Sequence, residues 1–143
     1  MRYLQEKLNA IMVSAAIATG CSVNIQWVKP LEDNYCGMVH NNTMALTYKE
    51  VSEGEGVQYP DNVRPFHGST DMGNVSLVVP SIHPGFSLGR QVMIHTREFE
   101  TMAGSEEAQK WTLIAAKAMA LTCVRLFVDD EFSKNVKEEF LIE

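Results

Sequence analysis

"SEEAQKWTLIAAKAMALTCVRLFV", residues 105–128, is the longest run in the chain able to organise a core. It holds five Ala and three Leu and neither Gly nor Pro, the composition of a stable helix. Ser105 follows Gly104 and reads as the N-cap, while Glu106 and Glu107 put negative charge at the positive end of the helix dipole. Only Glu106, Lys110 and Lys117 form a clear polar stripe, so the pattern predicts a helix buried over most of its surface. Downstream, "DEFSKNVKEEF" predicts a short terminal helix with Phe132, Val136 and Phe140 on one side.

Upstream of the long helix, "SIHPGFSLG" and "QVMIH" read as short extended segments ending at His95, with Thr96 placed to cap the next helix. A short helical turn is expected from Thr70, leading into "LVV" and Pro80. Residues 57–69 read as an extended loop, since Pro60 and Pro65 exclude regular helix. A helix is expected from about Asn42, a good N-cap, through Met44, Ala45, Tyr48 and Lys49 to Gly54 and Gly56. "LEDNYCG" reads as a crossing loop after Pro30. At the N-terminus Leu4, Leu8, Ile11, Ala15 and Ala18 recur at helical spacing up to Gly20, and "CSVNIQWV" then alternates Val23, Ile25 and Trp27 against polar residues, the pattern of a half-buried strand. The opening letters loosely imitate a secretory signal, but the amphipathic stripe argues against it and a helix explains the same letters.

With 143 residues, 45% of them hydrophobic and 21% charged, the chain has the composition of about one globular domain rather than a disordered segment. A net charge of −6 argues against nucleic-acid or anionic-membrane surfaces, which need cationic side chains to meet phosphates. No run approaches the roughly 20 apolar residues of a membrane span. Three cysteines, Cys21, Cys36 and Cys123, are an odd number without CxxC spacing and read as reduced thiols in a cytoplasmic protein.

His95 is the foremost chemical candidate. It follows the apolar "VMI", so it reads either as a hydrogen-bonded histidine at a junction or as a ligand presented by a rigid element. His40, His67 and His83 lie in loops and read as solvated, and Cys36 with His40 lacks the second pair that a zinc clip needs. In "HGSTDMGN", residues 67–74, Gly68 lets backbone approach a ligand closely, and Ser69 and Thr70 offer hydroxyl donors suited to a carboxylate or oxyanion. The competing reading is that Thr70 or Asp71 merely caps a turn. The acid pairs Glu106–Glu107 and Glu138–Glu139 read as solvated. H-x-D, H-E-x-x-H, G-x-S-x-G and a phosphate loop are all lacking, so the chain carries no self-sufficient catalytic motif.

"HGSTDMGNVSLVVPSIHPGFSLG" followed by "IHTREFETMAGSEEAQKWTLIAAKAMALTCV" closely resembles the C-terminal end of the di-zinc aminoacylase and carboxypeptidase family, in the branch of β-alanyl-lysine-type dipeptidases and aminobenzoyl-glutamate hydrolases. "AAIATGCSVNI" looks like the last helix and strand of that family's lid, or dimerisation, domain, and "NNTMALTY" like the helix after the chain returns. The resemblance implies an α/β fold. Residues 1–29 would end an α+β lid domain, and residues 30–143 would form the C-terminal part of a zinc-exopeptidase-like three-layer α/β/α catalytic domain.

It further implies that His95 is a zinc ligand and that Gly68, Ser69 and Thr70 bind substrate, with Asp71 capping or bracing the loop. The complete family site holds two zinc ions and cleaves amide bonds of dipeptides or N-acyl amino acids. The other zinc ligands and the general-base Glu of the family lie N-terminal to anything in this sequence, so no catalytic residue is assigned and tight zinc binding by this chain alone is not expected. Gly85 stands where the resemblance implies an aromatic in the pocket wall. The partners it implies are a substrate in a complete protein and a second copy, as a homodimer, or a family member; the alternative role is a non-catalytic truncated relative that acts by pairing with an intact family member.

Overall fold

The computed structural model describes residues 2–28, 35–60 and 68–142; Pro30, Pro65 and His67 lie outside them. Six α-helices occur among the described residues: α1 Arg2–Thr19, α2 Asn42–Gly54, α3 Met72–Ser76, α4 Arg97–Ala103, α5 Glu106–Val128 and α6 Asp130–Ile142. The chain divides into two compact units, Met1–Asn34 and Tyr35–Glu143.

The expected three-layer α/β/α architecture is not present. No strand occurs among the described residues, and the segments at 21–28, 78–88 and 91–93 run without a β-ladder. Alternating side chains say only that one face of a segment could be buried. A strand also needs a neighbouring backbone about 4.8 Å away to take its N–H and C=O groups, and these segments find none among the described residues. The expected strand after α1 fails for the same reason.

In the first unit Gly20, at φ 69°, ends α1 in the left-handed conformation that glycine adopts at no steric cost. The N–H of Cys21 reaches back to the Ala16 carbonyl at 3.0 Å, closing the terminal turn. The Trp27 Nε1–H donates to Asn9 Oδ1 at 2.8 Å, laying the extended segment along α1.

In the second unit α2, α5 and α6 pack on one another, and α4 packs on α5. Ala108, Ala115, Ala118 and Thr122 of α5 are buried, a stripe of small side chains that lets neighbouring helices approach closely. Tyr48 of α2 packs with Ala118 and Ile82, while Leu88 packs with Met102 and Ala108. The expectation of a mostly buried α5 is therefore overturned. Leu113, Phe127 and Val128 are 66%, 82% and 76% exposed, because no described element of this unit covers the side opposite the alanine stripe. By length and composition α5 is also long and apolar enough to cross a membrane, contrary to the expectation from the sequence, although core helices of soluble proteins meet the same criterion.

The terminal helix closes the bundle. Phe132 and Val136 are buried as expected. Asn41, one residue before the expected cap, is the N-cap of α2: its Oδ1 accepts from Met44 N at 3.0 Å, and its Nδ2 donates to the Val136 carbonyl at 3.0 Å. Glu139 is not the solvated acid its pairing with Glu138 suggests. Its carboxylate accepts from the backbone N–H groups of Asn42 and Thr43, capping α2 from α6. Burial pushes its pKa up, but hydrogen bonds from Thr43 and Asn42 prevail and hold it below the ordinary glutamate value.

Candidate functional site

The loop at 68–70 enters α3, whose position is set by packing against residues 36–39. The backbone N–H of Cys36 donates to Asn74 Oδ1 and that of Val39 to Ser76 Oγ, each at 3.0 Å, while Ser76 Oγ donates to the Gly73 carbonyl at 2.7 Å. Gly73 faces the Cys36 carbonyl so closely that a Cβ would lie 1.9 Å from the oxygen. This second glycine of the loop thus serves packing, not a ligand.

The first part of the loop is open. Gly68 and Ser69 are exposed and Thr70 is half-buried. Thr70 Oγ1 accepts from Met72 N at 3.3 Å, which leaves its own O–H proton available to a ligand. Asp71 occupies the N-cap position of α3, yet its side chain makes no capping hydrogen bond. Capping falls to Thr70, while the Ser69 hydroxyl makes no hydrogen bond among the described residues.

His95 lies not at the end of a strand but in a turn, with φ 63°. A left-handed backbone is uncommon for a residue with a Cβ, although histidine tolerates it better than most, and such residues gather at functional sites. Thr96 holds the turn: its Oγ1 accepts from Phe99 N at 3.1 Å, capping α4, and donates to the Met93 carbonyl at 2.7 Å. The imidazole itself is exposed.

No hydrogen bond among the described residues links His95 to the 68–70 loop. Nor do any three His, Cys, Asp or Glu side chains among them converge on a point where a metal could sit. Since a catalytic zinc takes three protein ligands, the described residues do not by themselves fit the metal site that the resemblance implies. Glu106 and Glu107 are exposed at the start of α5, with Glu107 3.9 Å from Arg90.

A further group of polar side chains escaped the sequence reading. Ser52 is buried and its hydroxyl shares a 2.8 Å hydrogen bond with the Tyr59 hydroxyl. Burial, and then the neighbouring Tyr59, raise the pKa of Tyr48 beside them. Their spacing of four and seven residues carries no recognisable motif; only the turn after α2 brings them together.

No family model matches the chain. Individual relatives do. It is 34% identical to the Xaa-Arg dipeptidase of Homo sapiens over 100% of its own length and 33% of the relative's. With the Xaa-Arg dipeptidase of Mus musculus it shares 34% identity over 98% of the chain and 32% of the relative. With a p-aminobenzoyl-glutamate hydrolase subunit of Escherichia coli (strain K12) it shares 31% over 72% of the chain and 22% of the relative. The chain thus spans about a third of the length of the dipeptidases it matches. Dipeptidases matched over the whole chain, together with a hydrolase of the expected branch, identify the chain as a member of the aminoacylase, carboxypeptidase and aminobenzoyl-glutamate hydrolase family of peptidases, corresponding to the C-terminal portion of its relatives.

Proposed function

We propose that this chain is the C-terminal portion of a cytoplasmic, zinc-dependent hydrolase of dipeptides or N-acyl amino acids. In this reading it supplies the substrate-side loop and one imidazole. The carrying observation is the dipeptidase match along the entire chain, which includes the open 68–70 loop and the exposed His95. Ser69 and Thr70 donate hydroxyl hydrogen bonds to the substrate carboxylate, and Gly68 admits it close to the backbone. Thr70 is pre-oriented for this, since Met72 N already occupies one of its acceptor positions. The metal's remaining ligands would come from polypeptide other than the described residues, because one imidazole cannot hold the ion.

The test is a full-length chimera in which this chain replaces the matching third of the human dipeptidase. Ser69→Ala with Thr70→Val should raise the Michaelis constant or lower turnover with metal content unchanged; each charge-assisted hydrogen bond lost is worth about 1.5–3 kcal/mol. Untouched kinetics would reduce the loop to a helix cap. His95→Ala should lower the zinc retained after dialysis while leaving the circular dichroism unchanged, and full retention would remove His95 from the site. The 143-residue chain alone should hydrolyse no dipeptide. Chelator-sensitive turnover by it would overturn the reading.

A further inference from the structure

In the second unit, the turn after α2, the 85–89 segment and the first half of α5 surround a cavity of about 550 Å3, a volume typical of small-molecule sites. Neither the 68–70 loop nor His95 lines it. Its walls carry four aromatic rings, those of Tyr48, Tyr59, Phe86 and Trp111, and no Lys, Arg, Asp, Glu or His among the described residues. Such a wall accepts a flat ring and has nothing to neutralise a net charge.

Two hydroxyls give the wall polarity. Tyr48 is 6% exposed, yet its hydroxyl makes no hydrogen bond among the described residues. No sealed side-chain oxygen or nitrogen among them lacks a partner, so the Tyr48 oxygen opens onto the cavity that the residue lines. Burial, and then Tyr59, raise its pKa and keep it a protonated donor at neutral pH. Tyr59 is placed for the opposite role. The single proton of Ser52 Oγ goes to the Lys49 carbonyl at 2.9 Å, so in the 2.8 Å bond between Ser52 and Tyr59 the tyrosine donates. Tyr59 thereby spends its proton and keeps a lone pair, while Tyr48 keeps its proton. A donor left unmatched in an apolar wall is costly, and a ligand that satisfies it recovers that cost.

We propose that this cavity binds an uncharged aromatic lactam, a flat ring in which a carbonyl stands beside an N–H. The carbonyl accepts from the Tyr48 hydroxyl, the N–H donates to the Tyr59 oxygen, and the ring packs against Phe86 and Trp111. A carboxylate of the same size is disfavoured, because no cation lines the cavity among the described residues.

The probe is carbostyril, titrated into the 143-residue chain and followed through the backbone amide resonances of 57–59 and 85–89. N-methylcarbostyril, which lacks the N–H, and naphthalene, which lacks both polar groups, are the comparisons. Carbostyril should saturate these shifts and bind about fivefold or more tightly than either. Tyr48→Phe should weaken carbostyril by about fivefold and leave naphthalene unchanged, the second result showing that the apolar wall is intact. The same ranking should persist in the full-length chimera with the human dipeptidase. Lack of saturation at millimolar carbostyril overturns the proposal. So does equal affinity for the three compounds in the parent chain, a comparison that needs no variant. Loss of binding in the chimera overturns it too, since the completed polypeptide would then close the cavity. Binding rather than hydrolysis is the readout, so failure here leaves the reading of Ser69, Thr70 and His95 standing.

Discussion

Gly73 and Glu139 each hold one end of the second unit in place. At Gly73 a methyl group would meet the Cys36 carbonyl at 1.9 Å, a backbone oxygen that no rotamer change can move. Gly73→Ala should therefore destabilise the protein by about 3 kcal/mol, measured by urea unfolding, through overpacking where α3 meets 36–39. Glu139 acts by charge. Its depressed pKa means that its stabilising contribution is complete above the ordinary glutamate value and is lost as pH falls through the lower, folded-state value. Glu139→Gln should cost about 1 kcal/mol at pH 7, as for other lost helix caps, and the difference from the parent should shrink toward zero in acid. A difference that stays constant from neutral pH into the acid range would show that the carboxylate charge is not what caps α2.

At the scale of elements, caps were well legible and neighbours were not. Ser105 accepts from Ala108 N at 3.2 Å and Thr96 from Phe99 N at 3.1 Å, both where local chemistry put them. Such bonds join residues three apart, so a short stretch of sequence contains both partners. The cap of α2 was misplaced by one residue because Asn41 and Asn42 are chemically alike locally. The choice rests on the Asn41 amide reaching Val136, 95 residues away. Thr96→Val should remove the cap of α4 and the bond to Met93, costing about 1 kcal/mol and loosening the turn that carries His95. Nuclear magnetic resonance would show it as faster amide exchange at Phe99 and a shifted His95 imidazole resonance. An unchanged His95 signal would separate the cap from the site.

For the whole molecule, the governing feature is apolar surface left uncovered. Leu113, Val124, Phe127 and Val128 of α5 are more exposed than a 23-residue apolar helix in a finished core would leave them. Leu113→Glu combined with Phe127→Glu should leave the melting temperature of the isolated chain within about 2 °C, as expected for surface substitutions. The same pair should reduce binding of a hydrophobic dye by removing exposed apolar area. A large loss of stability would mean that this face is packed in solution.

The sequence by itself determined what depends on near neighbours: the helices and most of their caps, the Gly20 stop, and the buried Phe132 and Val136 of α6. Through resemblance it also reached the family, because a motif string survives without its structural context. Whether an extended segment becomes a strand was decided only by tertiary structure, since half of a β-ladder lies in another stretch of backbone and alternation cannot say whether that stretch is present. The same holds for the burial of α5, whose apolar letters are identical whether or not anything covers them. It holds for Glu139, whose partners stand 97 and 96 residues away, and for the Ser52–Tyr59 pair that the turn after α2 closes. Local propensity is written in consecutive residues; partnership is written in space, and a distant residue can be paired only where the fold delivers it.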